Sequence, residues 1–275
     1  MPNFIVGARL HDYGKGTPDE LFGKVSADGF AAVQLAYKKC VPTVKSYADV
    51  TDTLVAETVA AEKAHHIQVA VLGTYVELAI NDESRLNNVA DFKSQLAVCK
   101  ALGAGCIGTE TTAMSKQPTG TTRAQAQELL CRSLAEILPA AEALGVTVGI
   151  EPVTYHSMNS AAATRHILDT MRSPNLKVIF DMCNLVSAEN VDAQDRIWYD
   201  MGALLGDQIV AIHFKGQAFA PDGSLLHTSL EESRTDYAGA FAMLRQLPQP
   251  ALPVLREEAV PARAASDIAF MKGFF

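Results

Sequence analysis

Short apolar runs recur along the chain at residues 4–8 (FIVGA), 31–36 (AAVQLA), 67–73 (IQVAVLG), 105–110 (GCIGTE), 146–151 (VTVGIE), 176–181 (LKVIFD), 209–214 (IVAIHF) and 252–257 (LPVLRE). They are rich in β-branched residues and apolar at odd and even positions alike, the pattern of parallel strands covered on both faces. Longer segments with helical period lie between them. From Arg123 to Leu144, residues Leu129, Leu130, Leu134, Ile137, Leu138, Ala141 and Leu144 fall on one broad stripe. The punctuation agrees with this division. Thr17-Pro18-Asp19-Glu20 predicts an N-cap, a proline at the first helical position and a capping-box Glu. Gly103 and Gly145 close helical runs, and Ser173-Pro174-Asn175 stops another before the sixth strand. Strand and helix alternate through 275 residues without a linker. Since about 250 residues make eight β/α units, the pattern predicts an α/β protein, a single-domain (β/α)8 TIM barrel. An open doubly wound sheet would need a phosphate-binding glycine loop or a strand-order switch to explain its site, and no GxGxxG or Walker sequence follows any run.

The last four runs each carry a polar residue at their end or one place before it: Glu151, Asp181, His213 and Glu257, separated by 30, 32 and 44 residues. In a barrel these lie at the C-terminal ends of the last four strands, the face that carries active sites. Taken singly, each has an ordinary reading. Glu151, before Pro152, could be solvated at the rim, and Asp181 could be a helix N-cap. His213, between Ile212 and Phe214, could be a satisfied core imidazole, and Glu257 could pair with Arg256. Their equivalent positions on consecutive strands are harder to ascribe to packing. Three carboxylates and an imidazole carry a formal charge of −3, and a divalent cation is the simplest way to neutralise them. The oxygen-rich set suits Mn²⁺ first, with Mg²⁺ or Co²⁺ as alternatives, over structural Zn²⁺. A metal there can polarise a carbonyl, and a Glu beside it can remove a proton from the adjacent carbon. That step begins isomerisation, epimerisation and β-elimination alike.

A net charge of −8 argues against nucleic-acid and membrane-surface partners but does not exclude a phosphorylated substrate, so that the proton-removal chemistry is expected to act on a small-molecule sugar, sugar phosphate or related polyol ketone. Cys40, Cys99, Cys106, Cys131 and Cys183 show no ligand spacing and predict reduced thiols in the cytoplasm. The N-terminal stretch lacks the basic region of a signal peptide, and no apolar run is long enough to span a bilayer. A homo-oligomer is compatible with all of this. The connection after His213, residues 215–236, is the longest strand-to-helix segment and is expected to be a lid or substrate wall.

The motifs GIEPV (149–153), VIFDMCN (178–184), IHFKG (212–216) and VLREEA (254–259) resemble the sugar phosphate isomerase/epimerase family of the xylose-isomerase-like TIM barrel superfamily. The stretch 72–111 resembles its third and fourth units, and the likeness runs over residues 1–275. The resemblance implies one divalent metal on Glu151, Asp181, His213 and Glu257, with Glu151 and Glu257 as acid and base flanking the substrate carbon. Glu257 and Glu258 point to opposite faces of an extended strand, and the alignment favours Glu257. Strand-end positions add Glu110, His156, Asn184 and Lys215 as substrate-binding candidates, with Arg9, His11 and Gln34 behind them. Each also has a bland reading: Glu110 as a helix cap, His156 as a surface imidazole, Lys215 as a solvated amine. Ketose 3-epimerases of the superfamily usually carry a His and an Arg where this chain has Asn184 and Phe219, which weighs against that reaction in the strict sense. Asn184 also stands where the related apurinic endonucleases carry a metal-binding His. A dehydratase of a cyclic polyol ketone and a non-catalytic metabolite-binding barrel remain the alternatives to an isomerase.

Overall fold

The computed structural model describes residues 1–80 and 82–275; position 81 and the side chains of residues 82 and 83, within the 72–111 stretch, lie outside the described residues. The barrel strands are β1 (Asn3–Arg9), β2 (Ala32–Leu35), β3 (Gln68–Gly73), β4 (Cys106–Glu110), β5 (Val148–Glu151), β6 (Leu176–Asp181), β7 (Ile209–Phe214) and β10 (Ala251–Arg256). They close in the order β1-β10-β7-β6-β5-β4-β3-β2, every neighbouring pair parallel. Helices α1 (Pro18–Ala27), α2 (Tyr37–Cys40), α3 (Asp52–His65), α4 (Asp82–Leu102), α5 (Arg123–Leu144), α6 (Ala161–Met171), α7 (Gln194–Leu205), α8 (Tyr237–Leu244) and α9 (Ala264–Lys272) accompany the strands. The expected (β/α)8 barrel is therefore the fold.

Local chemistry sets these boundaries. The capping box at Thr17 forms, with Thr17 N–H donating to Glu20 Oε2 at 2.8 Å and Glu20 N–H to Thr17 Oγ1 at 3.3 Å. Helix α5 starts on a second box, Thr122 with Gln125, and ends at Gly145, whose φ of 68° lets the chain reverse into β5. Its stripe of Leu130, Leu134, Ile137, Leu138 and Ala141 is buried against the barrel wall.

Inside the barrel the strands are lined by small residues around a few large ones. Ile179 and Leu255 pack with Val71, Ala32, Ala70, Cys106 and Ala211. A Cβ on Gly108 would meet Ile179 Cδ1 at 2.5 Å, and one on Gly149 would meet Ile179 Cγ1 at 2.9 Å. Glycine stands at both places because Ile179 fills the space. Outside, Phe214 stacks on Tyr237 with centroids 4.3 Å apart, and Phe241, Phe270 and Phe274 close around it. This cluster holds α8 and α9 against β7 beside His213.

Strand register levels the site. Glu110 pairs with Glu151 across β4 and β5, and Asp181 with His213 across β6 and β7. The eighth barrel strand ends at Arg256, yet Glu257 N–H continues the ladder to Phe214 O at 3.0 Å. The connection after His213 is more ordered than a plain loop. It contains an antiparallel hairpin, β8 (Gly216–Phe219) and β9 (Leu225–Thr228). Asp222 makes its turn by accepting from Ser224 N–H at 2.9 Å, while Gly223 takes a φ of 83°.

Ile179 between two glycines yields a stability prediction. Gly108→Ala is expected to cost about 1–3 kcal/mol by overpacking. Ile179→Val, which removes the clashing Cδ1, costs about 0.5–1.5 kcal/mol alone but recovers most of the loss in the Gly108→Ala background. Urea unfolding of the four members of the cycle measures this; strictly additive losses would mean the glycine is not there to accommodate Ile179.

Candidate active site

The strand ends bring Glu151, Asp181 and His213 together: one ligand atom from each lies within 4.8 Å of the other two. All three side chains are buried. His213 Nδ1 is 3.1 Å from Glu151 Oε2 and 3.6 Å from Glu257 Oε1. Glu257 thus approaches the same ring nitrogen as Glu151 but stands apart from the three-residue cluster, drawn to Lys215 Nζ at 3.4 Å and to an Arg9 guanidinium nitrogen at 3.8 Å. Glu258, with φ of 57°, turns out of the pocket and meets His227 at 2.6 Å. Of the two adjacent carboxylates, Glu257 is the one in the site.

Lys215 sits deeper than a residue that merely reaches substrate. Its Nζ lies 2.9 Å from Asp181 Oδ2, between Asp181 and Glu257. The expectation of a bare, self-repelling site with charge −3 is therefore corrected: Lys215 and Arg9 bring in positive charge. Asn184 also does more than face substrate. Its side-chain amide donates to Glu151 Oε1 and its backbone N–H to Asp181 Oδ1 at 2.9 Å, so it orients two carboxylates at once. Glu110 stays on the half-exposed rim beside Glu151. His156 is buried outside the Glu151–Asp181–His213 cluster, its Nε2 3.9 Å from Glu110, its ring edge-on to Tyr155, and its carbonyl accepting from Arg123. It anchors the loop after β5.

The charges interact strongly in this dry pocket. Burial pushes Asp181 up to about 6; nearby Lys215 opposes the rise and Glu151 reinforces it. Burial and the charge of Glu151 lift Glu110 to about 7. Burial would raise Glu257 too, but His213, Lys215 and Arg9 hold it down to about 2. Burial would lower His213, but Glu257 and Glu151 carry it up to about 9. His213, Lys215 and Arg9 thus set positive charge against Glu151, Asp181 and Glu257.

Among the described residues, Nε2 of His213 is buried with no hydrogen-bond partner, whereas its Nδ1 has only the ion-pair contacts to Glu151 and Glu257, and Oδ2 of Asp181 only that to Lys215. A divalent ion would satisfy them, and the donor set of carboxylate oxygens and imidazole fits one. Glu151, Asp181 and His213 would hold it, with Glu257 adjoining.

The barrel mouth contains residues that strand-end reasoning missed. Tyr75 lies just beyond β3 in a left-handed backbone conformation, φ 54°. Its hydroxyl accepts from Gln34 Nε2 at 2.9 Å, His11 packs edge-on against its ring, and Lys39 Nζ lies 3.8 Å from the ring centroid. The space enclosed by Tyr75, Glu151, His213, Glu257 and Gln34 is about 20 Å³, room for one water. Arg9 forms a fork to Asp12, and Asp12 Oδ2 accepts from Ala259 N–H at 2.9 Å, tying the loops after β1 and β10 together. Nothing in the local sequence around Tyr75 or Asp12 marks these contacts, which join segments distant in the chain.

A sequence profile described as xylose isomerase-like TIM barrel matches residues 22–273. The chain belongs to that family. No curated protein sequence matches it. Among solved structures, the chain is similar to 3-keto-D-glucoside 4-epimerase from E. coli in its apo form, at 17% identity and TM-score 0.73, covering 98% of this chain and 100% of that one. D-psicose 3-epimerase from Clostridium cellulolyticum H10, with D-tagatose, matches at 17% identity and TM-score 0.73 over 100% and 99% of the two chains. The IOLI protein with a bound zinc atom matches at 15% identity and TM-score 0.76, again over 100% and 99%. Identities this low establish a shared fold and no more. Among the described residues, no helix is long and apolar enough to cross a membrane.

The support behind Glu257 can be tested apart from any activity. Arg256 is buried, donates from Nε to Asp267 Oδ2 at 2.8 Å, and donates from its guanidinium to the Glu257 carbonyl. Asp267→Ala strands a buried guanidinium and should cost about 3–5 kcal/mol. Chemical denaturation checks this; a variant within about 0.5 kcal/mol of wild type, the usual range of a surface change, would show that the pair does not brace the strand end.

Proposed function

We propose that this protein is a divalent-metal-dependent isomerase or epimerase of a sugar or related polyol ketone, acting by proton removal next to a carbonyl. The observation that carries this reading is the pair of carboxylates, Glu151 at 3.1 Å and Glu257 at 3.6 Å, that converge on Nδ1 of His213 in a buried pocket. Mn²⁺, Mg²⁺ or Co²⁺ held by Glu151, Asp181 and His213, with Glu257, would supply a Lewis acid that polarises the substrate carbonyl. Glu151 or Glu257 removes the proton from the neighbouring carbon, and the other returns one at the new position or face. Asn184 fixes Glu151 through its amide, so the base meets the substrate in a set orientation. Lys215 offers fixed positive charge to the oxygen that becomes negative as the proton leaves. The names of two structural neighbours, a 3-ketoglucoside epimerase and a ketohexose epimerase, agree with a sugar ketone as substrate class. Cysteines that are all free and mostly buried agree with a reducing cytoplasm.

Dehydration of a cyclic polyol ketone begins with the same proton removal and differs in its second step, the loss of hydroxide from the adjacent carbon. An enone absorbance would identify it, whereas solvent deuterium entering re-formed substrate or its epimer identifies isomerisation. Lys215 between Asp181 and Glu257 is the one feature that favours a metal-free, metabolite-binding barrel, because the ammonium already supplies a cation.

Two measurements decide among these readings. Adding Mn²⁺, Co²⁺ or Mg²⁺ is expected to raise the melting temperature, by mass action worth about 2.7 kcal/mol at a hundred times Kd, and Asp181→Ala should weaken this response more than Lys215→Ala. An unchanged melting temperature in excess Mn²⁺ would remove the metal from the proposal. Separately, Glu151→Gln and Glu257→Gln are each expected to lower turnover by about 10²–10⁴-fold while the circular dichroism stays that of the folded barrel. Full activity in both variants would assign the acid–base roles elsewhere.

A further inference from the structure

Beside the carboxylates a second space opens. It is a cleft of about 240 Å³ between the loops after β5 and β6 and the β8–β9 hairpin. Asn184 belongs to both: it lines the cleft and donates to Glu151. The lining contains no Lys, Arg, His, Asp or Glu. Its apolar surface comes from Tyr155, Val186 and Ala188 on one side and Phe219 and Leu225 on the hairpin. Tyr155 is 55% exposed and Leu225 42% exposed, so unpartnered apolar surface faces solvent at the rim.

The polar groups of this cleft are already engaged in holding its walls. Gln217 Nε2 donates to Cys183 O at 2.8 Å and to Val186 O at 3.3 Å, and the Asn184 carbonyl accepts from Thr154 N–H at 2.8 Å. Of the cations in the surrounding loops, Arg234 has a loose contact with Asp192 at 4.0 Å and several others are engaged more tightly. Lys215 lies between Asp181 and Glu257, Arg9 is forked onto Asp12, and Lys116 is paired with Glu77. Lys39 stands on the opposite side of the mouth, against Tyr75. A phosphate recognised here would require arginine, lysine or a cluster of free backbone N–H groups. What the cleft does offer is flat aromatic and aliphatic surface of the kind that receives the face of a ring.

We infer that the cleft is the distal substrate subsite and that the substrate is an unphosphorylated glycoside of a keto sugar, whose carbonyl edge points toward Glu151 and Glu257 while its ring substituent fills the cleft against Phe219, Tyr155 and Leu225. The inference rests on the isomerase reading for the position of the reacting carbonyl. The substituent rests on the chemistry of the cleft alone.

The test uses the Mn²⁺-loaded protein and four probes: the methyl and phenyl glycosides of a keto-hexopyranose, a free ketohexose, and the same ketohexose as its 6-phosphate. Calorimetry gives affinities, and mass spectrometry in D₂O gives solvent exchange into each probe. The phenyl glycoside is expected to bind at least about tenfold tighter than the methyl one, a step equivalent to 1.4 kcal/mol. The 6-phosphate is expected to bind no tighter than the free ketohexose. Phe219→Ala and Leu225→Ala should each erase most of the phenyl preference, whereas Phe219→Tyr, which keeps the ring, should retain it. A tighter 6-phosphate, equal affinity for the two glycosides, a phenyl preference that survives both alanine variants, or no binding of any probe would each overturn the inference. Solvent exchange reads the underlying activity separately. Exchange without a phenyl preference leaves the isomerase and removes the subsite; a Phe219-dependent preference without exchange leaves the subsite and removes the isomerase.

Discussion

Carboxylates can be gathered in a dry pocket only when positive charge comes with them. Much of the upper face of this barrel is arranged around that constraint. Glu151, Asp181 and Glu257 are almost fully buried, and the chain answers with His213 on the strand between Asp181 and Glu257, Lys215 two residues on, and Arg9 from the end of β1 beside Glu257. The arrangement extends one layer further out. Asp12 holds Arg9, Asp267 holds Arg256, and Arg256 holds the backbone of Glu257. Each charge in the pocket is thus positioned by a partner that is itself buried or tied to backbone.

The barrel was readable because its signals are local. A doubly covered strand announces itself within four to eight residues, and a helix that packs on a sheet does so within two turns. The runs at 176–181 and 209–214 coincide with β6 and β7, and the periodic stretch Arg123–Leu144 is helix α5 end to end. Glu151, Asp181 and His213 were legible for the same reason, since each stands at the end of such a run or one place before it. The hairpin at 216–228 was signalled by Pro221-Asp222-Gly223-Ser224 but was hidden by short strands of mixed polarity.

Less legible were features that depend on which distant segments meet. Whether Lys215 reaches outward to substrate or inward to Asp181 is decided by the depth of the pocket, which no window of sequence contains. Tyr75 comes to cover the mouth because β2 supplies Gln34 and α2 supplies Lys39. The choice between Glu257 and Glu258 turns on a single left-handed residue after the strand, where adjacent side chains part company: one into the pocket, the other onto His227.

Ile179 belongs both to the packed interior of the barrel and to the wall of the space beneath Tyr75. The floor of the site and the centre of the fold are therefore one side chain. In many enzymes the residues that hold the scaffold and those that shape the pocket are separate, and selection can adjust them independently. Here any substitution that enlarges a side chain in the small-residue interior pushes on the same methyl groups that line the floor of the pocket. Such variants would be expected to lose stability by overpacking and to reshape the pocket at the same time, so that neither property can be adjusted without the other.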